Sequence, residues 1–211
     1  MGNQTGLFVV LEGMDGSGKS THLAYLQRLF EAKGRSVTLT REPGGSPFAE
    51  AVREQVLFAP MGPWTEILAV AAARRDHLEK TIWPALARNE VVLCDRFVDS
   101  TWAYQVRGRG LPEAVALSLE SWVLTDGRGP DAVFYFDLPP EVSFERRAAR
   151  ASVSGETAVD RFEREDLGFY GRVRQGYLEA AARRGSGSHW IDATQSIDNI
   201  QIILKEIISN I

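Results

Sequence analysis

Leu7-Phe8-Val9-Val10-Leu11 runs through Glu12 into Gly13-Met14-Asp15-Gly16-Ser17-Gly18-Lys19-Ser20. The octapeptide has the G-x-x-x-x-G-K-S pattern of a phosphate-binding loop, placed where such a loop belongs, between an apolar strand and a helix. Its glycines let backbone N–H groups converge on phosphate oxygens with no Cβ in the way. The N-terminus of the following helix adds partial positive charge. Lys19 is placed to reach the β- and γ-phosphates of a triphosphate, and the Ser20 hydroxyl to ligate Mg²⁺. The chain has only four lysines, Lys19, Lys33, Lys80 and Lys205, and one falls at the position the pattern demands.

Outward from this loop, apolar runs alternate with helical patterns. Strands are expected at Leu7–Leu11, Ser36–Thr40, Val91–Cys94, Ala132–Asp137 and His189–Ile191. After Lys19, the residues Leu23, Leu26, Leu29 and Phe30 share a helix face. Glu66–Arg88 reads as one long helix bent near Pro84, which lacks an N–H. Further helices are expected from Pro112 to Leu124, stopped by Asp126-Gly127, after Pro139-Pro140, over Phe162–Arg184, and from Ile197 to the end. Ala151–Ala158 and Arg183–Ser188 read as loops. Strands alternating with helices predict an α/β fold of three layers, a five-stranded parallel sheet with helices on both faces. Ligands in such sheets bind beyond the carboxyl ends of the strands.

The 211 residues suit a single domain, 1–211, and 44% hydrophobic content supplies a substantial core. No apolar run approaches the ~20 residues that span a bilayer. Met1 to Gly6 lacks the features of a secretory signal, and the lone Cys94 suits a reducing, cytoplasmic setting. A net charge of -4 argues against a broad nucleic-acid surface, and three scattered histidines offer no zinc site. Neither a nucleic-acid nor a membrane partner is expected.

Three more constellations carry chemistry. Val91–Asp95 is an apolar strand ending in a carboxylate, where phosphate-loop proteins hold Mg²⁺, and Arg96 follows with a guanidinium suited to bidentate phosphate capture. Thr40-Arg41-Glu42-Pro43-Gly44-Gly45 combines an unusual backbone with another cation. Arg146, Arg147 and Arg150 lie on one short helical stretch beside a loop. They suggest a lid over about 146–161 that closes on polyphosphate and stabilises transferring charge. A nucleotide-dependent switch or ATPase is the competing reading from another class. No Asn-Lys-x-Asp guanine tetrad accompanies the loop, and a switch has no need of so many arginines around a second phosphate.

With these blocks in hand, the chain resembles the thymidylate kinases of the bacterial type. The resemblance rests on Glu12–Thr21, Thr40–Gly45, Arg74 within Ala72–Leu78, Asp95–Gln105, Gly108–Leu111, Pro130-Asp131 and Ile191–Thr194. It implies phosphoryl transfer from ATP to dTMP, giving dTDP and ADP with Mg²⁺, in dTTP biosynthesis, by a homodimer. A kinase for another nucleoside monophosphate is the alternative. By position, ATP is expected on Gly13, Met14, Asp15, Gly16, Ser17, Gly18, Lys19, Ser20 and Thr21. Mg²⁺ is expected on Ser20 and Asp95. The resemblance puts dTMP on Asp15, Arg41, Arg74, Arg96, Ser100, Thr101, Tyr104 and Gln105, and an adenine-side loop at Ala193-Thr194. Lys19, Arg96, Arg146, Arg147 and Arg150 are the catalytic candidates. Some members carry a catalytic arginine inside the loop. Ser17 stands there in this chain, so the lid arginines have to supply the charge. The family's usual base-stacking phenylalanine, four residues before Arg74, is replaced by Val70. Trp64, Trp102 and Phe48 are the rings considered to fill that space. Arg107 is a candidate extra cation near the site.

Overall fold

The computed structural model describes residues 5–125, 128–154, 159–209 and 211. The expected Asp126-Gly127 helix stop therefore lies outside the described residues, as do residues 1–4 of the N-terminus and 155–158 of the lid. The strands are β1 Leu7–Gly13, β2 Val37–Arg41, β3 Val91–Asp95, β4 Ala132–Asp137 and β5 Ser188–Asp192. They form one five-stranded parallel sheet in the order β2-β3-β1-β4-β5. Phe8, Val9, Val10 and Leu11, and Val91 through Cys94, are all fully buried, so successive side chains find cover on both faces of the sheet.

The helices are α1 Lys19–Ala32, α2 Pro47–Phe58, α3 Pro63–His77, α4 Trp83–Ala87, α5 Val98–Thr101, α6 Glu113–Val123, α7 Pro140–Ser154, α8 Leu167–Arg184 and α9 Ile197–Ser209. α1 packs on β1, β2 and β3 with α9 beside it, while α8 packs against β1, β4 and β5. The all-parallel sheet with its core strands covered on both sides is the architecture the alternating pattern predicts.

Three local expectations need correction, and one helix stands where the sequence reading assigned no element. That helix is α2, capped by Ser46, whose hydroxyl accepts from the Ala49 N–H, with Pro47 at its start. The long 66–88 helix starts earlier, at Pro63, and is not uniform. Its backbone widens into π-type turns at Leu78–Ile82, just before Pro84, where the missing N–H interrupts the α ladder. The helix expected from Phe162 begins only at Leu167, because the Asp166 carboxylate caps it by accepting from Phe169 N. Neither expected loop holds over its described residues. α7 continues through Ser154, and 183–188 reduces to a turn at Gly185–Gly187 between α8 and β5.

A second π-type segment, Trp102–Gly108, follows α5 and lies against α8. It carries Tyr104 and Gln105, so its seating on α8 sets the site. That seating is close. A Cβ on Gly176 would stand 2.6 Å from Ala103 Cα, against backbone that cannot swing aside. Gly176→Ala is expected to lower stability by ~1–3 kcal/mol, read as a lower urea midpoint with an unchanged slope.

Candidate active site

The glycine loop fits only as glycine at its critical points. A Cβ on Gly13 would come within 2.5 Å of the Phe136 carbonyl oxygen, and Gly18, which precedes α1, sits at φ 89°. Lys19 is buried, its ammonium donating to the carbonyls of Gly13 (2.9 Å) and Met14 (3.1 Å) and lying 3.8 Å from Asp95 Oδ1. Burial and the neighbouring Arg96 charge lower its pKa against the pull of Asp95, Asp15 and Glu12. Among the described residues, Asp95 Oδ1 is buried with no hydrogen-bond partner, and so is Ser17 Oγ.

β1 and β3 run in register with Leu11 opposite Asp95, and β2 places Arg41 on the other side of Asp95. The chain then turns sharply. Arg96 adopts φ 71°, a left-handed conformation that a side chain bearing a Cβ rarely takes. The turn throws the guanidinium across the strand ends. Its Nη2 donates to Asp15 Oδ1 at 2.9 Å and its Nη1 to Tyr177 Oη at 2.7 Å, with the Tyr104 ring 5.1 Å away. Burial favours an ionised Asp15 carboxyl least, yet Arg96 and Lys19 outweigh it and hold Asp15 below the usual carboxylate range.

Glu12 secures this turn from beneath. Its fully buried carboxylate accepts from Phe97 N (2.7 Å), Ser100 N (3.1 Å) and Ser100 Oγ (2.6 Å). Burial first, and the Asp99 charge second, push its pKa up to about 7, against the lowering effect of those bonds and of Arg96.

A cleft of about 350 Å³ opens over the strand ends. It gathers Asp15, Ser20, Arg41, Arg74, Asp95, Arg96, Ser100, Thr101, Tyr104, Gln105 and Arg150, candidates drawn from five separate stretches of sequence. Arg74 is buried and held by Glu42 Oε2 (2.5 Å), Thr101 Oγ1 (2.9 Å) and the Phe97 carbonyl (3.0 Å). Glu42 also faces His77, and the Glu42–Pro43 peptide is cis. Arg41 pairs at the surface with Glu50.

The three lid arginines part company. Arg150 lines the cleft, 59% exposed and 4.0 Å from Glu163. Arg146 donates to Gly16 O (3.3 Å) and Ala193 O (3.0 Å), joining the loop to the Ala193-Thr194 corner. Arg147 is buried between the Phe144 and Tyr170 rings, 4.3 and 4.6 Å from their centres, and bonds Tyr170 Oη.

None of the three rings considered as replacements for the family phenylalanine lines the cleft. Trp64 and Phe48 face solvent, and Trp102 borders a separate small cavity. The rings that do line it with Val70 are Phe97, Tyr104 and Phe162. Arg107 does not enter the cleft, being engaged by Glu179 and Glu113. Arg53, Phe162 and Glu163 are cleft residues that sequence reading did not single out. Arg53 donates to the Pro43 carbonyl at 3.0 Å. Its pKa is lowered by burial and by the Arg41 and Arg96 charges, which marks it as part of one cationic wall. The helix start at Ser46-Pro47 was the signal that could have found it.

Glu12 binds its proton more tightly folded than unfolded, so its contribution favours folding most below the ordinary carboxylate pKa of 4.5 and is lost as pH rises toward about 7. Glu12→Gln keeps an acceptor for the two N–H groups and reverses the bond to Ser100, whose hydroxyl then accepts from the new amide. Urea titrations across that window are expected to show a smaller fall in stability in the variant than in the unaltered chain.

A family model for thymidylate kinase matches residues 11–202. The chain is 47% identical over 208 residues to the thymidylate kinase of Alcanivorax borkumensis, covering 97% of this chain and 96% of that one. It is 48% identical over 208 residues to the thymidylate kinase of Pseudomonas syringae pv. syringae, covering 97% and 95%. The crystal structure of thymidylate kinase from Ehrlichia chaffeensis matches with a TM-score of 0.74 at 29% identity, over 97% of this chain and 99% of that one. The chain belongs to the thymidylate kinase family.

Proposed function

We propose the following division of labour for the reaction of this family, transfer of the γ-phosphoryl group of ATP to dTMP to give dTDP and ADP. The observation that carries it is the placement of Arg96 opposite the glycine loop, braced by Asp15 within the same cleft as Ser20 and Asp95. A donor triphosphate on the loop and an acceptor phosphate on Arg96 then face each other across the strand ends. The acceptor is already an oxyanion, so no strong general base is needed, and the work is positioning and charge stabilisation.

Gly13 to Thr21 seat the donor phosphates, with Lys19 moving from the Gly13 and Met14 carbonyls to the phosphate oxygens. Arg96 fixes the acceptor phosphate, with Arg41 and Arg53 on the same wall. Arg74, Ser100, Thr101 and Gln105 face the base, and the buried Tyr104 hydroxyl, which has no hydrogen-bond partner within normal geometry among the described residues, lies where it can meet the sugar. Asp95 Oδ1 and the Ser20 hydroxyl fit a hard cation. One is an orphaned carboxylate oxygen, and the other opens on the same cleft. Mg²⁺ held by Asp95 and Ser20 would supply positive charge to offset the negative charge that develops during transfer. No cluster of three carboxylate, histidine or cysteine groups exists among the described residues, in keeping with an ion whose remaining ligands are phosphates and water.

Of the lid arginines, Arg150 alone projects into the cleft, and we assign it the transferring phosphoryl group. Arg146 holds the loop backbone, and Arg147 anchors the lid helix in the core. We treat 1–211 as one domain with a lid over about 146–161. A homodimer through α3 and α6 is supported by the apolar surface they share, with Trp64 and Leu68 on one helix and Leu117 and Trp122 on the other all exposed. No helix of the described residues is long and apolar enough to cross a membrane. The nucleotide substrates and the single buried cysteine favour the cytoplasm.

Coupled ADP release measured with ATP, Mg²⁺ and each of dTMP, dUMP, UMP, CMP, AMP and GMP tests the reading. A strong preference for dTMP is expected. Preference for another acceptor would move the substrate and keep the mechanism, and ADP release independent of any acceptor would sink it. Arg150→Ala is expected to lower kcat by ~10²–10³-fold with little change in KM for ATP. An unchanged kcat would remove Arg150 from the chemistry.

A further inference from the structure

Glu66 stands in the first turn of α3, outside the cleft lining, and is fully buried. Its Oε1 accepts from Gln105 Nε2 at 2.9 Å and Arg109 Nε at 3.2 Å, and its Oε2 from Arg161 Nη2 at 2.9 Å. A carboxylate between two guanidiniums accepts and does not donate. The end of the Gln105 amide that meets it is therefore the NH₂ group. The Gln105 side-chain oxygen accepts no hydrogen bond from the described residues, and Gln105 lines the cleft. The pocket is thus offered an acceptor rather than a donor at this position.

We propose that Glu66 is a specificity-positioning residue. It holds the Gln105 amide oxygen toward the cleft, so that the acceptor site selects a base edge carrying an N–H, as at N3 of thymine or uracil. A base with a lone pair at that position, as at N3 of cytosine, is rejected. The inference rests on the reading of the cleft as a dTMP site and adds the group that sets the polarity of its base edge. The physical ground is the asymmetry of buried hydrogen bonds. A lone pair facing a lone pair leaves both groups unsatisfied, and sites built on such bonds discriminate far more strongly than apolar ones.

The same carboxylate reaches the lid. Arg161, at the lid segment's far end, also donates to the Val56 (2.9 Å) and Met61 (3.0 Å) carbonyls, and its own N–H bonds Leu57 O (2.9 Å). Its neighbour Phe162 lines the cleft and meets the Tyr104 ring edge-on at 5.4 Å. Glu66 therefore joins the base edge and the seating of the lid's return segment through one buried group.

The test is Glu66→Gln, which keeps the shape and lets either end of Gln105 face it. Arg109 retains Glu165, and Arg161 retains its carbonyls. The ratio of kcat/KM for dTMP to that for dCMP is expected to fall at least about tenfold, mostly through KM for dTMP. A parallel loss on both acceptors, with the ratio intact, is the signature of a structural role and would overturn the proposal. Should the variant fail to fold, the unaltered chain still decides. One Gln105 side-chain amide proton is expected to be protected from solvent exchange by NMR, and rapid exchange of both would refute the assignment. Absence of dTMP turnover by the unaltered chain would instead overturn the reading of the cleft, a result distinct from an unchanged ratio in an active enzyme.

Discussion

Parallel pairing of β2, β3 and β1 brings three carboxyl-terminal strand ends side by side, and every part of the site hangs from that register. Leu11 lies opposite Asp95, and Asp95 opposite Arg41. The pairing continues into the turns, where Arg96 N bonds the Leu11 carbonyl and Glu42 N the Asp95 carbonyl. A slip of one residue would send Asp95 to the other face of the sheet and uncouple it from Lys19. The phosphate loop, the Asp95-Arg96 corner and the Arg41–Gly45 loop are therefore one object, assembled by backbone hydrogen bonds before any side chain chooses its partner.

Around that frame the protein buries charge. Glu12 and Glu66 are buried outside the cleft lining and Glu42 is buried in its wall, and each takes a different set of donors. Glu12 takes backbone N–H groups and a hydroxyl, Glu42 takes Arg74 and His77, and Glu66 takes Gln105 and two arginines. Buried ion pairs add little net stability against apolar residues of the same volume, since desolvation offsets their attraction. Their use here is geometric. A carboxylate with both oxygens engaged fixes Ser100, Arg74 and Gln105 in place, and a fixed dipole needs no reorganisation when substrate charge arrives.

Much of this was legible in the sequence, for reasons that differ by element. The five strands were readable because a sheet covered on both faces needs unbroken apolar runs, which β1, β3 and β4 supply. α2 was not, since only Ala49 and Val56 are buried along it and such a helix leaves little periodic trace. Its loss hid Arg53. The lid arginines were found as a group but could not be told apart. The geometry separates them, because successive helical residues point about 100° apart. Arg147 turns inward to Phe144 and Tyr170, while Arg146 and Arg150 stay on the side of the loop and cleft. Glu66 carried no signal at all, since a lone carboxylate early in a helix reads as a solvated first-turn acid.

Val70 shows where sequence likeness and pocket physics diverge. A valine side chain offers a base no face on which to stack, and none of the exposed rings turns in to replace one. The cleft instead has Phe97 beneath the Arg74 guanidinium at 5.4 Å, Tyr104 beneath Arg96, and Phe162 beside Tyr104. Each of these rings is already engaged by a cation or another ring, which leaves its faces partly committed. With stacking reduced, the proposed dTMP site has to discriminate between bases at the polar edge, with Gln105 as the acceptor proposed above. That makes the orientation of one buried amide, and the carboxylate that sets it, weigh more in this chain than in one with an aromatic residue at position 70.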